Sequence, residues 1–226
     1  MRMFEIGKRL GMCASFVRQG ARIADVGTDH AFLPIWLVAK GVSPCAVATD
    51  INELPAQKAR ANIKKYKMGD KVTTFTCDGL EKVSPEDVDD IIIAGMGGEV
   101  IWGIIDRAKW LCDKKYRLIL QPMSRADNLR EGLLSAGFAI IDEQPVCEGD
   151  RLYTVICAEY APDGVRYAPS DIYFGGLRGK TDSLSRRYFA RQARLLASRV
   201  KGLEKGSREE SQLLAIIDEL EKAAEE

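Results

Sequence analysis

The 226-residue sequence predicts an α/β protein with a mostly parallel sheet, extended by a C-terminal α-helical hairpin. Three observations carry that expectation. Short apolar runs alternate with segments of helical periodicity, the pattern of strands joined by crossover helices. Four of the runs end in a glycine or polar break: Ala24 to His30, Ala48-Thr49-Asp50, Thr76-Cys77-Asp78-Gly79 and Ala94-Gly95-Met96-Gly97-Gly98. After Ala161 the strand pattern stops and two long helical stretches follow.

Ile6, Leu10, Cys13 and Val17 recur at helical spacing, so a helix over 3–19 is expected ahead of the sheet. The first strand spans 22–26, and the helix after it starts near Ala31 with Leu33, Leu37 and Val38. The second strand spans 44–49. Pro55 suits the first turn of the next helix, which runs to about Tyr66. Strands follow at 71–76 and 90–94, then a helix at 99–111, a strand at 117–121 and a helix at 125–136 closed by Gly137. Segments 138–146 and 152–159 pair as a hairpin around Glu148-Gly149-Asp150, which adds an antiparallel edge. A loop with Pro162, Gly164 and Pro169 leads to Phe174-Gly175-Gly176 and to helices over 181–203 and 208–224, turning at Gly206. The expected division is a core at 1–161 and a linker with hairpin at 162–226.

Lysine plus arginine and aspartate plus glutamate balance at 33 each, so no global field marks a polyanionic partner. The balance hides a local asymmetry. Residues 178–208 hold ten Lys/Arg against Asp182 and Glu204. Arg186, Arg187, Arg191 and Arg194 are therefore candidate RNA phosphate contacts; the alternative is a solvated face, partly paired with the acidic second helix. Six cysteines lie scattered without a C-x-x-C pair, which reads as reduced thiols in a cytoplasmic protein. Glu5, Lys8 and Arg9 interrupt any signal-peptide core, and no apolar run approaches the roughly 20 residues of a membrane span.

In an open α/β sheet, ligands bind outside the carboxyl ends of the strands. Gly27 lets the backbone approach a ligand, and Asp50, followed by Ile51, suits the hydroxyls of a ribose. The chain has no G-x-x-x-x-G-K-[ST] and no G-x-G-x-x-G after its first strand, which disfavours a triphosphate or a dinucleotide. S-adenosylmethionine has no phosphate and needs only one glycine at that turn. Asp25 can help hold its ammonium, and Asp78 can accept from the adenine amino group, with the Cys77 and Gly79 backbone nearby. Ala94, Gly95 and Met96 would flank the sulfonium. The plainer role for Asp50 and Asp78 is that of turn residues or helix caps, and for His30 a hydrogen bond that shapes the turn. His30 is the sole histidine and the thiols do not cluster, so no metal site is expected.

The run Ala24-Asp25-Val26-Gly27-Thr28-Asp29-His30-Ala31-Phe32-Leu33-Pro34, with Ala94-Gly95-Met96-Gly97-Gly98 and Leu118-Ile119-Leu120-Gln121-Pro122, closely resembles the bacterial TrmK family. The resemblance implies a tRNA adenine-N1 methyltransferase acting on adenine 22 with S-adenosylmethionine. It also implies a class I Rossmann-like methyltransferase core of seven strands plus a coiled-coil-like hairpin. By the same resemblance Gly27, Asp29, Asp50, Asp78 and residues 95–98 fall on cofactor and active-site positions. Asp29, His30, Gly95 and Met96 are the candidate catalytic residues, with Asp29 expected near the target adenine. The Asn/Asp-Pro-Pro-aromatic motif of other adenine methyltransferases is absent after the fourth strand, so the sequence names no residue to stack on the target base. Two other readings stand beside this one. One is a methyltransferase for a small metabolite, with the hairpin as a lid. The other is a non-catalytic cofactor-binding module whose leucine and isoleucine stripe pairs with a second protein or a second copy.

Overall fold

The computed structural model describes residues 4–226, so the start of the helix expected over 3–19 lies outside the described residues. Seven strands form one sheet: β1 (Ile23–Val26), β2 (Ala46–Asp50), β3 (Val72–Thr76), β4 (Asp90–Gly97), β5 (Arg117–Ser124), β6 (Phe138–Glu148) and β7 (Arg151–Tyr160). Their order is β3-β2-β1-β4-β5-β7-β6. The first five run parallel, and β7 is antiparallel to both β5 and β6. Helices α1 (Lys8–Ser15), α2 (Phe32–Ala39) and α3 (Glu53–Lys65) cover one face, and α4 (Gly98–Arg107) and α5 (Ala126–Ser135) cover the other.

Burial on both faces explains why the central strands read as unbroken apolar runs. Side chains alternate along β4: Ile91 and Ile93 pack with Ile101, Ile104 and Leu129, whereas Ile92 joins Ile23, Ile119 and Leu37 on the opposite face. Several elements differ from the expectation. The first helix is shorter than expected, running only from Lys8 to Ser15 with Gly7 at its N-cap, and Phe4 ahead of it packs on Phe32 and Tyr66. The helix expected to reach 111 ends at Arg107, and a separate 3₁₀ turn at Lys109–Leu111 lets Trp110 meet Tyr116 edge-on. Strands β4 and β5 run on to Gly97 and Ser124, pairing past Ala94 through two register shifts.

The tail folds back on the sheet. After α6 (Asp171–Phe174), α7 (Ser183–Val200) and α8 (Arg208–Glu225) form the expected hairpin. Asp182 caps α7 by accepting from the Leu184 and Ser185 amides, and Ser207 caps α8 by accepting from the Glu210 amide. The stripe Leu213, Ile216, Ile217 and Leu220 turns inward onto Tyr188, Phe189 and Leu196, and the cluster continues to Leu152 of β7. Beneath it lies a buried ion pair. Arg130 of α5 and Glu143 of β6 are both fully buried, with Nη2 and Oε1 2.5 Å apart. Tyr188 of α7 accepts from Arg130 at 2.7 Å, the Ile172 carbonyl accepts from it at 3.0 Å, and the Gly176 amide donates to Glu143 at 3.0 Å. Gly175 has φ +57°, and a Cβ there would collide with the Glu143 carboxylate, so the glycine pair lets the tail reach the pair.

Candidate active site at the carboxyl edge of the sheet

The strand order places a topological switch between β1 and β4, and the polar breaks line the edge around it. At the end of β1, Gly27 has φ +76°, and both its amide and that of Thr28 donate to the Thr49 carbonyl, at 2.7 and 2.9 Å. The Thr28 hydroxyl accepts from the Ala31 amide at 3.0 Å and so opens α2. Asp25 is 7% exposed; burial pushes its carboxyl up to about 6, with the Thr28 hydroxyl opposing. The end of β2 is tied to that of β3: Thr49 donates to the Gly79 carbonyl at 2.8 Å, and the Cys77 amide donates to the Asp50 carbonyl at 3.0 Å.

Each predicted site residue has a definite place. Asp50 accepts from the Asn52 amide through Oδ1 at 2.8 Å, so it shapes the turn while the rest of its carboxylate stays at the edge. Ile51 is 63% exposed and projects beyond it. Cys77 is buried, and Asp78 pairs with Arg107 of α4 at 2.9 Å. Gly79 packs closely on Ile104, and Ala94 is half-buried in β4 just before its first register shift. The Met96 methyl folds directly over Gly27. Asp29 is exposed beside His30, whose Nε2 lies 3.1 Å from Asp29 Oδ2, with Lys58 Nζ 3.7 Å from the other oxygen. The His30 ring stacks on Phe32 at 5.2 Å, and its carbonyl accepts from Asn62. Asp25, Gly27, Asp29, Asp50, Gly95 and Met96 therefore gather on one edge.

Two residues at this edge escaped the sequence reading. Gln121, fully buried in the middle of β5, accepts from the Gly95 amide at 3.1 Å. Arg9 of α1 reaches the same Gln121 oxygen at 2.6 Å. A glutamine inside an apolar strand run was the available signal for the first; nothing local marks the second, because only packing brings α1 to β5.

The arginines divide. Arg187, Arg191 and Arg194 share one face of α7 and line a groove of about 670 Å³ with Arg151, Tyr153 and Met123. Arg186 sits about 100° round the helix from Arg187 and is not part of that groove. A neighbouring cleft of about 500 Å³ shares Met123, Tyr153 and Arg191 and adds Arg125 and Arg199. Met123 lines both clefts, and its sulfur accepts from Gln121 Nε2 at 3.7 Å, while the Gln121 oxygen accepts from Gly95 at the edge. Among the described residues no group of three or more His, Cys, Asp or Glu is placed to hold a metal, and no helix is long and apolar enough to cross a membrane.

Comparison with known proteins addresses the family directly. The Methyltransferase domain family matches residues 6–156. The tRNA (adenine(22)-N(1))-methyltransferase of Bacillus subtilis (strain 168) is 34% identical over 179 residues, covering 79% of this chain and 75% of that one. The chain belongs to the TrmK family. Solved structures extend the likeness to the tail. TrmK of M. capricolum, in complex with S-adenosyl-homocysteine, is 26% identical, covers 99% of each chain and has a TM-score of 0.80. Sp1610 of Streptococcus pneumoniae, in complex with S-adenosyl-L-methionine, is 32% identical, covers 97% of this chain and 100% of that one, and has a TM-score of 0.84. With coverage of this order, the α7–α8 hairpin is part of the TrmK architecture and not a private appendage.

Proposed function

We infer that this chain transfers the methyl group of S-adenosylmethionine to N1 of adenine 22 in tRNA. The observation that carries the reading is the presence, in one chain of this family, of the edge with Gly27 and Gly95 and of an arginine-lined groove linked to it through Met123 and Gln121. The edge fits the cofactor: Gly27 offers bare backbone, and only the tip of the unbranched, flexible Met96 covers it. Asp50 and Ile51 suit the ribose side, and Asp78, Cys77 and Gly79 the adenine side. The buried Asp25 serves the ammonium.

The cofactor supplies a methyl group already activated by its sulfonium, and adenine N1 is unprotonated near neutral pH, so no strong general base is required. The chain's own task is alignment, which supplies roughly 7–11 kcal/mol of barrier lowering in favourable cases. Flipping the base costs on the order of a few kcal/mol. Contacts from Arg187, Arg191 and Arg194 offset that cost, and activity should therefore fall steeply as salt rises. Residues 1–161 carry the chemistry and 162–226 present the tRNA, in the cytoplasm. A small-metabolite substrate would leave the rate nearly insensitive to salt.

Asp29 and His30 act at the target base in this reading, with Asp29 favouring the positively charged product. Asp29→Ala should lower kcat by about 100-fold while the affinity for S-adenosylhomocysteine stays within a factor of about three. Full turnover in that variant would remove the role.

Asp25 gives a pH signature. Its carboxyl sits near 6 in the folded chain and near 4 when unfolded, so between those values the native state binds more protons. Stability from this group is therefore greatest below about pH 4, falls as pH rises to about 6 and is level above. Asp25→Asn should raise Tm at pH 7–8, with the gain closing towards pH 4. Thermal scans across that range check it.

A further inference from the structure

We propose that Asn62 of α3 is a positioning residue for Asp29, acting through the backbone of His30, an inference that rests on the role given to Asp29 above. The turn that carries the pair, residues 27–31, has a left-handed residue at each end: Gly27 at φ +76° and Ala31 at φ +53°. Alanine has a Cβ and disfavours that region. Such a conformation persists only where its surroundings hold it, and it gathers at functional sites.

Both ends of the turn are tied down. The Gly27 and Thr28 amides donate to the Thr49 carbonyl, and the buried Ala31 donates to the Thr28 hydroxyl and accepts from the Ile35 amide at 3.1 Å. The middle is not. Among the described residues a single hydrogen bond reaches the backbone of Asp29 or His30: Asn62 Nδ2 donates to the His30 carbonyl at 3.0 Å. Asn62 itself stands on a fixed base, because Ala59 and Ile63 bury α3 against the sheet. Its bond sets how residue 30 leaves the turn, and so where the His30 ring lies. That ring stacks on Phe32 with an interplanar angle of 20° and places Nε2 3.1 Å from Asp29 Oδ2. Lys58, one helical turn before Asn62, approaches the other Asp29 oxygen only to 3.7 Å and is 55% exposed, so solvent and salt weaken its hold. Asparagine is also a poorer helix former than alanine, and helix stability gives no reason for one inside α3.

The test is a double-mutant cycle on tRNA methylation. Asn62→Ala should lower kcat by about 10- to 100-fold, as a displacement of about 1 Å at a reacting centre does, with the KM for tRNA and the affinity for S-adenosylhomocysteine within about threefold. Its Tm should stay within about 4 °C of wild type, because the helix preference of alanine offsets the lost hydrogen bond. Asn62→Gln, which keeps the amide, should recover part of the rate. In the Asp29→Ala background, Asn62→Ala should add less than about threefold, since the group it positions is gone. Losses that multiply, or an equal fall in affinity for S-adenosylhomocysteine, would assign Asn62 a purely structural role and overturn the inference. So would wild-type kcat in Asn62→Ala alone. Full turnover in Asp29→Ala overturns the role of Asp29 itself, and the inference with it.

Discussion

Gly27→Ala should reduce the affinity for S-adenosylhomocysteine by more than about 100-fold while the fold survives. The backbone there has φ +76°, a region that costs a residue with a Cβ about 1–2 kcal/mol. For a chain of this size that amounts to a Tm lower by about 2–8 °C. The larger effect falls on the ligand. A Cβ at Gly27 would point into the Met96 methyl, in the space where the cofactor tail has to pass. Met96 can swing aside, because its side chain is unbranched; the added methyl cannot. Calorimetry and a thermal scan separate the two effects, and binding within about threefold of wild type would show that the tail takes another path.

Arg130→Met should produce the largest loss of stability. It leaves the Glu143 carboxylate fully buried without its partner, a change worth about 3–5 kcal/mol. Tm should fall by about 6–20 °C. Arg130→Met combined with Glu143→Leu should recover much of that loss, because the double variant buries no lone charge. The pair also joins α5 and β6 to Tyr188 of α7 and to the 172–176 segment, so its loss should loosen the hairpin before the sheet. Faster proteolysis in the tail than in the core of Arg130→Met checks that order. Uniform cleavage would show that the network stabilises the whole chain alike.

The seven strands and the site edge were legible because the signals are local. An apolar run that stops at Gly27, Asp50 or Asp78 marks the carboxyl end of a strand whatever surrounds it. The hairpin was equally plain, since its leucine and isoleucine stripe and the turn at Gly206 lie in continuous sequence. What escaped depends on distant partners. Arg130 and Glu143 look like surface charges in an amphipathic helix and an edge strand, and only the tail covering them makes a buried pair. Arg9 reaches this edge only because α1 packs against β5, where it meets Gln121. The continuation of β4 through Met96 and Gly97 was hidden by its own glycines, which read as a turn although β5 holds them in register. Arg186 is a different matter: helical spacing from Arg187, Arg191 and Arg194 already separates it from their shared face.

The most direct measurement is to incubate the purified protein with unmodified tRNA and methyl-labelled S-adenosylmethionine and to map the modified nucleoside. Membership of the family predicts N1-methyladenosine at position 22 and no label in a transcript with guanine there. Absence of incorporation by protein that still binds S-adenosylhomocysteine would contradict the account.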